Sequence, residues 1–223
     1  MKSVRDTVHG FAERPHYEGR ELDNMFEKIV VDFLRQKRGK ISFPIDTDDL
    51  KSLIERDVSD LDQYADLSKF GPGVEGLTEF PRAGKPKVLV SADAHKIENR
   101  LRTTLTHEYG HVRLHGYLFA SSDRRLGVGP SQKANAIYCK RDTIISAGKS
   151  DWMEWQAGYA CGALLMPRGF VEREVQSLCA VGSPGLVPLH SPVASMLINK
   201  IADVFAVSRD ASRVRLSVLG YLT

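Results

Sequence analysis

The sequence has few cysteines, no long apolar run and no apolar segment near its start. Its three cysteines include no CxxC pair, which excludes a disulfide scaffold. The longest apolar stretch near the middle, residues 159–166, is about half of what a bilayer span needs. Charged residues interrupt the first twenty positions, where a signal peptide would need an apolar segment. We therefore expect a cytoplasmic protein with reduced thiols and no membrane segment.

The sequence also has little excess charge of either sign. The 31 Lys and Arg nearly balance the 28 Asp and Glu, and a net charge of +3 does not by itself indicate nucleic-acid binding. The charges are nevertheless segregated, with an acidic excess over residues 46–66 and a basic excess over residues 82–141. Two interpretations stay open: ordinary solvated faces, or a basic segment that meets an acidic polypeptide.

Apolar periodicity predicts a mainly helical chain with one small sheet. Residues 1–18 show no periodicity and are expected to form a flexible arm, followed by a single domain over residues 19–223. Gly116 is expected to end the helix that carries the chemistry. Strands are predicted at 74–80 and 87–91. Helices are predicted at 20–38, 46–55, 94–115, 152–166, 170–178, 193–205 and 209–219.

The C-terminal residues 193–223 form a candidate helix-turn-helix-like subdomain. The segment 202–211 has the spacing of that motif, which would indicate DNA contact. Ala206, however, stands where the turn usually has glycine, and the tail is only modestly basic. We therefore favour a helical hairpin with a packing role.

Residues 107–111, with the sequence HEYGH, form an HExxH motif inside the predicted helix 94–115. Residues four apart lie one above the other on a helix, so His107 and His111 can direct two imidazole nitrogens at one ion. Glu108 lies next to them, in position to take a proton from a water that Zn²⁺ activates. The motif predicts zinc-dependent hydrolysis.

A catalytic zinc site needs a third protein ligand. An HExxHxxGxxH motif would require glycine and histidine where this sequence has Leu114 and Tyr117, so that arrangement is excluded. The remaining common solution is a carboxylate from a later helix. Glu154 is the best candidate, because the small residues Ala157 and Cys161 on its helix allow a close approach to the HExxH helix.

Two segments around these residues resemble the signatures of the ImmA/IrrE-type metallopeptidases. Residues 103–115, TTLTHEYGHVRLH, are similar to the signature TLAHExGHxxxH. Residues 154–167, EWQAGYACGALLMP, are similar to the signature ExxANxFAxxLLMP. The chain departs from the second signature at Gly158, Tyr159 and Cys161, none of which is a ligand position.

The predicted elements together with this resemblance imply an α+β fold: a mainly helical, zincin-like (gluzincin-type) domain with a small β-sheet and a C-terminal helical hairpin. The resemblance implies that His107, His111 and Glu154 bind Zn²⁺ and that Glu108 is the general base of an endopeptidase. Its substrate would be a helix-turn-helix transcriptional repressor or a related regulator in stress responses or mobile elements. The alternatives are a non-proteolytic regulator and a toxin/antitoxin-like module that binds a repressor or DNA.

Further residues are candidates for supporting roles. His115 lies too far along the helix to share the ion with His107, so we expect it to support a ligand or to lie in the core. The strand 87–91 is either an edge strand that pairs with an extended substrate or an internal strand of the sheet. Cys139 is a weak candidate for an inhibitory thiolate. Candidates for stabilising the oxyanion are His190, Tyr138 and Tyr159.

Overall fold

A computed structural model describes residues 2–81, 83–125, 136–140, 151–178 and 186–223. Within these residues the chain has a mixed α+β fold with seven α-helices and two small sheets, in agreement with the predicted class. Its contacts divide it into two compact units: Met1–Glu21 with Thr47–Cys161, and Leu22–Asp46 with Gly162–Thr223. The sequence predicts a single domain from residue 19 onward. The contacts instead give two units, and each unit combines two separated stretches of the chain.

All the predicted helices and strands are present; the strand at residues 87–91 has the predicted bounds, and the other elements have shifted ends. The strands at Lys2–Arg5, Glu13–His16, Asp60–Ala65 and Ala136–Lys140 were not predicted. None of the described helices combines the length and the apolar character that a membrane span needs. In chain order the elements are β1 (Lys2–Arg5), β2 (Glu13–His16), α1 (Gly19–Arg38), α2 (Thr47–Glu55), β3 (Asp60–Ala65), β4 (Val74–Glu79), β5 (Lys87–Ser91), α3 (Glu98–Arg125), β6 (Ala136–Lys140), α4 (Trp152–Leu165), α5 (Arg168–Leu178), α6 (Pro192–Phe205) and α7 (Arg209–Val218).

Four strands form the larger sheet, in the order β3-β5-β4-β6. β5 runs parallel to β3 and antiparallel to β4, with Leu89 opposite Leu77. The interpretation of residues 87–91 as an edge strand that pairs with substrate is therefore wrong, because neighbouring strands use both sides of β5. On β4, Leu77 packs in an apolar cluster, whereas Thr78 hydrogen-bonds to α3. Alternation along β4 thus gives the sheet one apolar face and one face toward the HExxH helix.

α3 is longer than predicted at its C-terminal end. It continues to Arg125, so the prediction that Gly116 ends it is wrong. A glycine inside a helix costs about 0.5–1 kcal/mol, but burial of two large apolar side chains in the following turn outweighs that cost. These side chains belong to a cluster of Phe80, Leu118, Phe119, Trp152 and Met153.

Residues 2–16 form a two-stranded hairpin, in the segment that the sequence predicts to be a flexible arm. β1 and β2 pair antiparallel. Between them, the carboxylate of Asp6 accepts hydrogen bonds from three backbone N–H groups of the turn and from the indole Nε1 of Trp152 at 3.0 Å. Side-chain to backbone hydrogen bonds hold this segment, and such bonds leave no apolar period in the sequence.

In the second unit, α6 and α7 form the predicted C-terminal hairpin, joined through Ala206 in the left-handed conformation (φ 48°). Arg215 of α7 is buried, pairs with Asp23 at 2.7 Å and donates a hydrogen bond to the carbonyl of Met166. This arginine therefore serves packing within the unit.

Gly110 brings α4 against α3. A Cβ at Gly110 would lie 3.0 Å from Cα of Ala157 and 3.1 Å from Cβ of Ala160, so the two backbones are in direct contact. Farther along the interface, the hydroxyl of Thr106 lies 3.1 Å from Sγ of Cys161. The predicted close approach of these helices through small residues is confirmed.

We expect Gly110→Ala and Gly116→Ala, two identical changes in one helix, to affect stability in opposite directions. Gly110→Ala should destabilise the protein by about 1–3 kcal/mol, because its methyl group must push α4 away. A Cβ at Gly116 meets its nearest atoms only at 3.7 Å. Gly116→Ala should therefore add about 0.5–1 kcal/mol of stability. Urea denaturation measures both changes, and two effects of the same sign would contradict the contact described here.

Candidate metal centre

α3 carries His107 and His111 one turn apart, and α4 brings Glu154 to them. The two Nε2 atoms are 3.1 Å apart. Oε2 of Glu154 lies 3.2 Å from Nε2 of His107, and Oε1 lies 3.2 Å from Nε2 of His111. All three side chains are buried. The structure thus brings together the three residues that the sequence predicts as metal ligands, and this buried group can hold a metal ion.

The spacing and the chemistry of these donors fit zinc. With bonds of about 2.0–2.1 Å, ligand atoms at the corners of a tetrahedron lie about 3.3–3.4 Å apart, close to the 3.1–3.2 Å found here. Two imidazole nitrogens that face each other at this distance need a proton or a cation between them, because their lone pairs repel. Two imidazoles and one carboxylate are also a known ligand set of catalytic zinc.

Burial and mutual contact determine the protonation of the group. Burial acts to raise the pKa of Glu154, but the hydrogen bonds to both histidines and their charges hold it well below its usual range. Burial lowers the pKa of His107. Burial acts in the same direction on His111, but its contact with the Glu154 carboxylate prevails and raises the pKa of His111. Glu154 is therefore ionised, and its carboxylate can serve as a metal ligand.

The first turn of α4 holds Glu154 in place. Asp151 precedes the helix, and its Oδ1 accepts a hydrogen bond from the backbone N–H of Glu154 at 3.2 Å. The same oxygen lies 2.9 Å from Nε2 of His9, and Trp152 bonds to Asp6. The N-terminal hairpin therefore fixes the turn that carries the ligand. The Asp-x-x-Glu spacing before an apolar run is the signal that could have identified this cap.

Glu108 lies between α3 and β4, fully buried. Its Oε2 accepts a hydrogen bond from Oγ1 of Thr78 at 2.6 Å. A Cβ at Gly76 would clash with Oε1 of Glu108, so only glycine leaves room for this carboxylate. Gly76 and Thr78 thus orient Glu108. The sequence analysis missed both residues, and no spacing in the chain links them to the HExxH motif.

His115 lies one turn beyond His111 and contacts it. Their Nδ1 atoms are 3.0 Å apart, and Nε2 of His115 lies 3.1 Å from Oε1 of Gln156. Gln156 in turn donates from Nε2 to the carbonyl of Pro15 at 2.9 Å. Burial lowers the pKa of His115 well below its usual value. This geometry agrees with the predicted supporting role of His115. Gln156 and Pro15 were not predicted, although Gln156 and Glu154 are polar residues in a mainly apolar helix.

The remaining candidates from the sequence do not join this group in the described part of the chain. The hydroxyl end of the Tyr159 side chain lies against Gly19, and its ring centroid lies 5.6 Å from that of Trp155. His190 belongs to the second unit. The side chains of Tyr138 and Cys139 lie outside the described structure.

Comparison with known proteins does not identify a family: no protein-family profile matches the chain, and a search of curated proteins finds no significant match. Membership of the ImmA/IrrE-type family therefore stays an expectation from the sequence. The interpretation of the site depends on its own geometry.

We expect the protein to bind zinc through this group. His107→Ala and Glu154→Ala should abolish tight binding, because two remaining donors do not make a stable site. Glu108→Gln should keep the metal, since Glu108 is not part of the donor group. Metal content after dialysis and the zinc-dependent rise in Tm measure the effect. Stoichiometric zinc in Glu154→Ala would disprove the assignment of the third ligand.

Proposed function

We propose that the protein is a zinc-dependent endopeptidase with a zincin-like (gluzincin-type), ImmA/IrrE-type site. The observation that carries this proposal is the buried carboxylate of Glu108, oriented by β4, next to the group of His107, His111 and Glu154. A structural metal site has no use for a carboxylate fixed beside its ligands. A hydrolytic site needs one as general base.

In this proposal the two imidazoles and the carboxylate of Glu154 hold the ion. When bound, zinc supplies a Lewis acid that polarises the scissile carbonyl and lowers the pKa of a bound water to about 7. Glu108 takes the proton of the attacking water on its carboxylate and later gives it to the leaving amine. Thr78 keeps that carboxylate in one orientation through the bond to Oε2. The surrounding helices exclude bulk water from the four buried groups.

We further propose that the substrate is a regulatory protein, such as a helix-turn-helix repressor. This part rests on the resemblance of residues 103–115 and 154–167 to the family signatures. The basic excess of residues 82–141, which include β5 and α3, favours a polypeptide with acidic segments.

Glu108→Gln tests the mechanism. Zinc-loaded protein is incubated with the helix-turn-helix regulator encoded beside its gene and with a peptide library from a proteome digest, and new N-termini are identified by mass spectrometry. We expect a loss of about 100-fold or more in cleavage rate, because the general base is removed while the ligands remain. Glu98→Gln, the same change at an exposed position of α3, is the matched control.

Equal cleavage by wild type and Glu108→Gln would overturn the proposed chemistry. If the regulator is bound tightly and no peptide in either sample is cut, the protein is a non-proteolytic regulator.

We expect the hydroxyl of Thr78 to contribute to the rate and not to metal binding. Thr78→Val keeps the shape of the side chain but removes the donor to Glu108, and we expect kcat to fall about 10-fold, the effect of one lost charge-assisted hydrogen bond. Thr78→Ser restores the donor and should restore most of the rate. Zinc content, measured in parallel, should be the same in all three proteins. A Thr78→Val protein with wild-type kcat would show that this bond does not orient the base.

A further inference from the structure

We infer that a groove beside the C-terminal half of α3 binds an acidic polypeptide segment, with carboxylates on its cations and an apolar side chain on its floor. This cavity, the α3 groove, has a volume of about 600 Å³ and lies between α3 and the turn that precedes β5. Its lining includes Phe80, Lys85, Pro86, Val112, Arg113 and Tyr117. The inference rests on the proposed function in one respect only, namely that the bound polypeptide is the substrate.

The α3 groove lies on the side of α3 that is turned away from the histidines of the HExxH motif. At 3.6 residues per turn, the lining residues Arg113, Gly116 and Ala120 stand about 140–160° around the helix from those histidines. A segment bound in the groove therefore lies apart from a peptide bond held at the metal ligands. Its contribution is to the affinity for the polypeptide and not to the chemistry.

Contacts within the first unit hold the arginine of the groove in place. Nη1 of Arg113 donates a hydrogen bond to Oδ2 of Asp57 at 3.0 Å, and the hydroxyl of Tyr109 donates to the same oxygen at 2.6 Å. Tyr109 is buried, so the carboxylate that orients Arg113 is itself fixed. The bond to Asp57 engages Nη1, and the guanidinium has further N–H groups for the carboxylate of a partner.

The turn that forms the other wall of the groove is also held. Nζ of Lys85 donates a hydrogen bond to the carbonyl of Arg56 at 2.6 Å. The backbone N–H of Ser59 donates to the carbonyl of Pro86 at 2.8 Å, and the proline ring fixes its own φ. Walls that are ordered before binding lose less conformational entropy when a partner binds.

Charge and exposure indicate the chemistry of the partner. Of the described residues that line the groove, Lys85 and Arg113 are cations and Asp57 is an anion, which leaves an excess of positive charge. Phe80 at the floor is buried, whereas Lys85, Arg113 and Tyr117 are exposed, so the groove is open to solvent. An open groove with Arg and Tyr at its surface is typical of a protein interface. A segment with Asp or Glu beside Leu or an aromatic residue complements it.

The test selects peptides from a random library on the full-length Glu108→Gln protein, in which bound peptides stay intact because the proposed base is absent. We expect the enriched peptides to carry Asp or Glu beside Leu or an aromatic residue. The Kd of their consensus peptide, from fluorescence anisotropy, should rise about 10-fold or more when Arg113→Gln removes a charged hydrogen bond. It should also rise with added salt. The matched control is Arg35→Gln, since Arg35 is likewise an exposed arginine paired with an aspartate.

Ala120, an exposed residue that lines the groove, separates charge from shape. Ala120→Glu and Ala120→Lys add side chains of similar length and opposite charge. Ala120→Glu should raise the Kd of the consensus peptide about 2–5-fold, the effect of one exposed charge, and Ala120→Lys should lower it. Equal changes in the two variants would refute the charge complementarity that identifies the partner.

The inference would be overturned by enriched peptides that are basic or uncharged, by the absence of any enriched peptide, or by an unchanged Kd in Arg113→Gln. With Glu108 intact, Arg113→Gln should raise KM for a protein that carries the consensus segment, and an unchanged KM would show that the groove does not bind the substrate. A protein that binds the peptide through the groove and cleaves nothing would refute the peptidase proposal and leave the binding site standing.

Discussion

The contact between the backbones of α3 and α4 at Gly110 is the constraint on which the site depends. Because Gly110 has no side chain, Ala157 can lie against α3. Glu154 stands one turn before Ala157, and only this approach brings its carboxylate within 3.2 Å of both His107 and His111. The group of His107, His111 and Glu154 therefore depends on helix packing as much as on the identity of its side chains. One added methyl group in the helix interface is enough to disturb it.

The parts of the site that the sequence predicts are those encoded within one or two helical turns. The spacing of His107 and His111 follows directly from 3.6 residues per turn. Glu154 could be chosen because Ala157 and Cys161 mark the same helix as one that approaches closely. The end of α3 was misjudged for a complementary reason. Local glycine chemistry favours a stop at Gly116, but apolar packing in the next turn decides the outcome.

The groups that orient these side chains could not be predicted, because strands distant in sequence supply them. Gly76 and Thr78 reach Glu108 from β4, and the carbonyl of Pro15 reaches Gln156 from the N-terminal hairpin. Each contact depends on sheet or hairpin pairing that no local period reveals. The N-terminal hairpin shows no apolar period in the sequence for the same reason: hydrogen bonds from Asp6 and Pro15 to side chains of α4 hold it.

Complete burial explains why the site needs so many orienting groups. A polar atom that is buried without a partner costs about 1–3 kcal/mol, so buried polar networks are stable only when the donors and acceptors are matched. The hairpin provides an acceptor at one end of such a network, the carbonyl of Pro15, to which Gln156 donates. At the other end, two imidazole nitrogens and the oxygens of a carboxylate lie 3.1–3.2 Å from one another. A metal ion held by this group would add its binding free energy to the stability of the folded chain, because the unfolded chain does not hold the three side chains together.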